Sequence, residues 1–218
     1  MNGTTLPVFW HFVTRLGEVQ ILIPAALLAA LALLRQSTTR LIATRWLMAL
    51  LAAGTLTTVT KLAFIGWGIG IRELNFTGIS GHAMFAASIY PCLLAVMASR
   101  LPVRVQRIAV SAGVVLAVAV GVSRIEVGAH SASEVVVGLL LGGLVSATAL
   151  LPAGLPRHAI GLLFPTIVGL WLVLTPVHAP QFQTHSYVIR LSLALAGIQV
   201  PHTRAELLGA HRNFRQGS

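Results

Sequence analysis

The sequence predicts an all-α, polytopic membrane bundle of about six transmembrane helices, and three observations point there. Of its 218 residues, 56% are hydrophobic and only 9% charged, with a mean hydropathy of +0.86, which is too little polar surface for a soluble globule of this size. The apolar residues fall into six runs near the length of roughly 20 residues that a helix needs to cross a bilayer core. Most of the charge lies between these runs.

Taken in chain order, residues 6–13 carry Phe9, Trp10 and Phe12 and read as an interfacial piece within an N-terminal segment, 1–16. No basic n-region or small-residue cleavage site precedes the first apolar run, so that run is expected to direct insertion itself. The six spans cover about 17–34, 46–67, 82–98, 108–122, 133–151 and 159–176. Residues 184–200 are apolar but interrupted by Arg190, Ser192 and Gln199. They read as an interfacial amphipathic helix inside a tail, 177–218, with a seventh span as the alternative. Connections are short and no linker composition intervenes, so a single domain over 1–218 is expected.

A formal charge of +10 suggests nucleic acid in a soluble chain. Here the Arg residues occupy short loops between apolar runs, where they signal topology and meet anionic lipid headgroups. Nucleic acid is therefore not an expected partner. Cys92 is the single cysteine; it excludes an intramolecular disulfide and a multi-Cys zinc site and reads as a small packing residue. His178, His185, His202 and His211 show no ligand spacing in the tail, and no metal is assigned there.

Sidedness follows from the loops. Arg35, Arg40, Arg45, Arg100, Arg104, Arg107 and Arg157 lie in three connections that contain no acid, and the positive-inside rule places those connections in the cytoplasm. The connections 68–81 and 123–132 then share the outer face. That brings Lys61, Arg72, Ser80, His82, Arg124, His130 and Glu134 to one membrane boundary. The chain has no Asp, five Glu and a single Lys, so three cations, two histidines and a carboxylate gathered there suggest a phosphate receptor. Ionisable groups at this depth are costly and usually functional.

His130 and Glu134 are spaced to share a helical face if the fifth span begins near Ala129. A carboxylate there accepts the proton of one imidazole nitrogen and leaves the other lone pair free for nucleophilic attack. The alternative is a structural pair at a helix start, where the helix dipole favours Glu. Gly78 to His82 reads GISGH, a flexible loop before the third span whose amides can bind an anion. Ser80 equally suits an N-cap, and His82 alone suits an interfacial histidine. Lys61, Arg72 and Arg124 each have a snorkelling explanation, which weakens for three cations on the outer face. Glu73 and Glu126 receive no role.

Lys61, Arg72, the Ser80-Gly81-His82 triplet, and Ser123-Arg124 followed by His130 and Glu134 resemble the type 2 phosphatidic acid phosphatase (PAP2) superfamily. That pattern has Lys, six residues and Arg-Pro; then Pro-Ser-Gly-His; then Ser-Arg, five residues, His, three residues and Asp. The resemblance covers Lys61 to Glu134. It implies that His130 is a nucleophile forming a phosphohistidine, Glu134 its orienting carboxylate and His82 the leaving-group acid. Lys61, Arg72, Ser80, Gly81 and Arg124 would hold the phosphoryl oxygens, with no metal or cofactor. The departures are ten residues between Lys61 and Arg72, Glu73 and Ile79 in place of Pro, and Glu134 in place of Asp.

The resulting expectation is hydrolysis of a lipid phosphate or diphosphate on the periplasmic side of a bacterial inner membrane. Candidate substrates are undecaprenyl diphosphate, phosphatidylglycerol phosphate, phosphatidic acid and lipid A phosphate. Transfer of the phosphoryl group to an acceptor hydroxyl is one alternative. A non-catalytic anion-binding or transport protein is another, disfavoured because such a site has no use for an oriented neutral imidazole.

Overall fold

The computed structural model describes residues 5–152, 154–157, 161, 163–178 and 184–209. Among them are nine helices and no named strand: α1 (Thr5–Arg15), α2 (Val19–Leu34), α3 (Arg40–Trp67), α4 (Gly81–Met97), α5 (Val103–Glu126), α6 (Ala132–Leu150), α7 (Leu163–His178), α8 (Thr184–Ala196) and α9 (Arg204–Gly209). The start of the expected sixth span, with part of the connection before it, and the tail's His211, Arg212 and Arg215 lie outside the described residues.

Four stretches are long and apolar enough to cross a membrane: Val8–Leu34, Arg40–Trp67, Val103–Glu126 and Ala132–Leu150. Large apolar side chains such as Met48, Leu51, Leu140 and Leu144 face outward from them, as a lipid-facing surface requires. The chain is a helical membrane protein. Two of these helices start earlier than the apolar runs do, at Arg40 and Val103. Hydropathy marks the lipid-contacting part of a helix, whereas Arg is a good helix former and extends it into the interface.

At the centre stands α4, with 12 of its 17 residues buried, packed chiefly on α5 and α6 and also on α2 and α3. A helix apolar all round belongs inside a bundle, which is why α4 can be short. Pro91 interrupts it and cannot donate to the Ala87 carbonyl. Ser146 Oγ on α6 donates to that oxygen instead (3.0 Å), while Trp46 Nε1 donates to Ser88 O (2.9 Å). Backbone groups freed by a proline inside a membrane need such partners.

Close approach of α6 to α4 depends on Gly138 and Gly142. A Cβ on Gly142 would overlap the Met84 carbonyl oxygen, and one on Gly138 would stand 2.7 Å from Ser80 O. Small residues four apart let helices pack backbone to backbone in lipid. We expect Gly142→Ala to destabilise the protein by about 1–3 kcal/mol, read as earlier loss of monodisperse protein on heating in detergent. Gly143→Ala, with nothing within 4 Å of its added methyl, should leave that temperature unchanged.

α1 packs on α5, and the turn into α2 is tied down where Tyr90 Oη donates to Leu16 O (2.7 Å). α8 lies along α3, with Ser192 Oγ donating to Leu62 O (2.9 Å). Its 13 residues rise only about 20 Å, too short for a bilayer core of about 30 Å.

Candidate active site

The end of the bundle where α3 and α5 finish and α4 and α6 begin is built from local rules. α5 stops at Glu126, and Gly128 takes a left-handed conformation (φ 70°) that closes the helix end. The amides of Ala129 and His130 both donate to Arg124 O (3.0 and 3.1 Å). This fold-back sets His130 beside the residue that carries the Arg124 guanidinium.

Ser131 is then the N-cap of α6 and Glu134 its third residue, forming a reciprocal capping box, the pattern that S-x-x-E encodes. The helix begins at Ala132, not near Ala129. His130 and Glu134 therefore do not share a helical face as the spacing suggested. They meet because the capping box turns the carboxylate back toward the residue preceding the cap, so the structural pair and the chemical pair are one arrangement.

His130 Nδ1 lies 2.6 Å from Glu134 Oε2. An ionised carboxylate only accepts, so Nδ1 carries the proton and the Nε2 lone pair is free. Glu134 is fully buried and receives further hydrogen bonds from Thr77 N (2.7 Å) and Thr77 Oγ1 (2.6 Å) on Oε1. Ser131 N donates to Oε2 (3.2 Å). Burial lowers the His130 pKa below its ordinary 6.5; the Glu134 hydrogen bond opposes this, Lys61 depresses it further, the Glu134 charge opposes, and Arg124 depresses it again. The ring stays neutral at neutral pH.

The loop before α4 is threaded tightly past α3. Gly78 has φ 145°, and a Cβ there would press on the Lys61 side chain and backbone (3.1 and 3.3 Å). Ile79 stands where the family pattern has Pro, and its amide donates to Thr60 Oγ1 (3.2 Å), a bond proline cannot make. Ser80 is the N-cap of α4 but makes no side-chain cap bond; its amide donates to the Glu134 carbonyl (3.1 Å). Lys61 Nζ lies 3.7 Å from the Cβ position of Gly81. His82 packs against Gly17, whose missing side chain leaves room for the ring. Arg124 Nη1 donates to Thr14 Oγ1 on α1 (2.6 Å).

Lys61, Ser80, Gly81, His82, Arg124, His130 and Glu134 thus assemble at one end of the bundle. Ser80 Oγ, Thr57 Oγ1 and Arg124 Nε are buried there without a protein partner. Buried polar atoms are nearly always satisfied, and these three suit an oxygen-rich anion.

Arg72 is not brought to this cluster. The isolated bridge Ile71–Phe76 turns its loop back, and Arg72 Nη2 donates to Leu208 O (2.9 Å) at the end of α9, where a cation suits the exposed carbonyls. The additional residue that sequence reasoning missed is Arg204. Its Nη2 reaches both Glu134 oxygens (2.7 and 2.8 Å). Nothing local announces this, since Arg204 lies 70 residues beyond its partner. Glu73 and Glu126 are exposed.

A family model described as the PAP2 superfamily matches residues 3–153, well over half of the chain. The chain is 35% identical over 205 residues to an "Uncharacterized 22.5 kDa protein in cps region" of Klebsiella pneumoniae, across 91% of this chain and 97% of that protein. No solved structure matches. The motif residues that gather at the ends of α3 to α6 lie within the matched region, and the chain belongs to the PAP2 superfamily.

Proposed function

We propose that the protein is a metal-independent lipid phosphatase working through a phosphohistidine on His130. The observation that carries this reading is the imidazole whose Nδ1 is held 2.6 Å from a buried carboxylate, beside Lys61 and Arg124. His130 Nε2 attacks phosphorus, forming a P–N bond as the P–O bond to the lipid alkoxide breaks, and His82 gives that oxygen its proton. Water then attacks the phosphohistidine and cedes a proton to His82 as the P–N bond breaks and phosphate leaves. Glu134 holds the Nδ1 proton throughout and offsets the imidazolium charge. Lys61, Arg124, Ser80 and the Gly81 amide stabilise the charge that develops on the phosphoryl oxygens.

The bilayer holds the acyl or prenyl chains, so the headgroup is the part recognised. Phosphate release from purified undecaprenyl diphosphate, phosphatidylglycerol phosphate, phosphatidic acid and lipid A tests the reading. Release from at least one in the presence of chelator is expected, and none from any would end it. Because His130 must be neutral to attack, activity falls as pH drops through its pKa. With that pKa held below 6.5, the acid limb of kcat/KM, corrected for substrate ionisation, should lie below that value; a limb above it would contradict a neutral, buried nucleophile.

The proposed setting is a bacterial inner membrane with the site facing the periplasm, supported by the Arg-rich connections at the opposite end. Ala129 and Arg104 are exposed, whereas Cys92 is buried and need not be replaced. An impermeant thiol reagent on cells with a permeabilised outer membrane should label Ala129→Cys and spare Arg104→Cys. The reverse pattern would move the site to the cytoplasmic leaflet.

A further inference from the structure

We propose that Arg204, carried by the segment after the last apolar helix, is a positioning residue that sets the tautomer of His130 through Glu134; this rests on the phosphohistidine reading above. Glu134 is completely buried, and a buried carboxylate is costly unless its charge is matched. His130 cannot match it while neutral, as a nucleophile must be. Among the described residues, Arg204 is the permanent cation within hydrogen-bond distance of Glu134, with one nitrogen on both oxygens.

The consequence is chemical. If Glu134 took up a proton, its hydroxyl would donate to His130 Nδ1 and drive the ring to the Nε2–H tautomer. That tautomer has no lone pair on the attacking nitrogen. Arg204 keeps Glu134 an acceptor and so keeps Nε2 nucleophilic.

The guanidinium is aimed and not merely near. Its Nη1 donates to Asn75 Oδ1 (3.0 Å), and Nη2 also reaches Thr77 Oγ1 (3.1 Å), the hydroxyl that itself bonds Glu134. The segment is anchored on either side: His202 N donates to Ile65 O (3.0 Å), and Arg72 ties down Leu208 O. Arg72, one of the cations expected to touch phosphate, thereby holds the helix that begins with Arg204. The longer carboxylate of Glu134, where the family pattern has Asp, reaches a partner that this tail supplies.

A double-mutant cycle tests the coupling. Arg204→Met should lower kcat about 10²-fold with KM within about threefold, and Arg204→Lys should recover part of the loss. In a Glu134→Gln background, Arg204→Met should change kcat by less than about threefold. Wild-type kcat in Arg204→Met, a rise in KM alone, or equal losses in both backgrounds would overturn the proposal; the second would make Arg204 a phosphate ligand and the third a structural residue. Imidazole ¹⁵N shifts decide it without turnover: His130 should be protonated on Nδ1 in the wild type and mixed in Arg204→Met. An unchanged tautomer overturns the role of Arg204, whereas absence of phosphate release by the wild type bears only on the proposed activity.

Discussion

His130→Ala is expected to lower phosphate release by about 10³-fold or more while the purified protein keeps its helical content and its behaviour in detergent. The size follows from the role: without the imidazole no P–N bond forms, and water must attack phosphorus directly. The fold should survive because the His130 side chain packs in a loop, and the bonds that shape that loop are made by backbone amides to Arg124 O. Turnover within tenfold of the wild type would remove His130 as the nucleophile.

Glu134→Gln should be nearly as damaging, lowering kcat by about 10³–10⁴-fold with little change in KM. Glutamine is accepted at the third position of a capping box, so the start of α6 should be preserved, while loss of the Arg204 ion pair lowers the thermal midpoint. What is lost is the negative charge that fixes the Nδ1–H tautomer and offsets the imidazolium as the P–N bond forms. A purely structural pair makes the opposite forecast, with Glu134→Gln almost fully active. Kinetics and thermal midpoint measured on the same preparation separate these outcomes.

Much of this architecture was readable from residue order because two strong constraints act on a membrane chain. Apolar runs must be helical, since lipid offers no partner for the backbone, and helices joined by short loops must alternate in direction. Those rules alone bring Lys61, His82, Arg124, His130 and Glu134 to one end. They do not report how a loop turns. Arg72 lies in the expected connection, yet the Ile71–Phe76 bridge directs it to Leu208, which ten intervening residues instead of six only hinted at. They also do not report what a tail reaches: α8 returns along α3, and Arg204 at the start of α9 meets Glu134 by tertiary contact without a sequence period. The pairing of His130 with Glu134 was anticipated from helical spacing, but the geometry comes from a capping box one turn away from the imagined face.

The most direct measurement is to trap the intermediate. Purified protein is mixed with ³²P-labelled lipid phosphate, quenched in alkaline detergent to preserve phosphohistidine, digested, and the labelled peptide sequenced by mass spectrometry. A nucleophilic His130 gives a single phosphorylated residue at that position, lost in mild acid and missing from His130→Ala. Steady turnover with no covalent label, or label on His82 in place of His130, would contradict it.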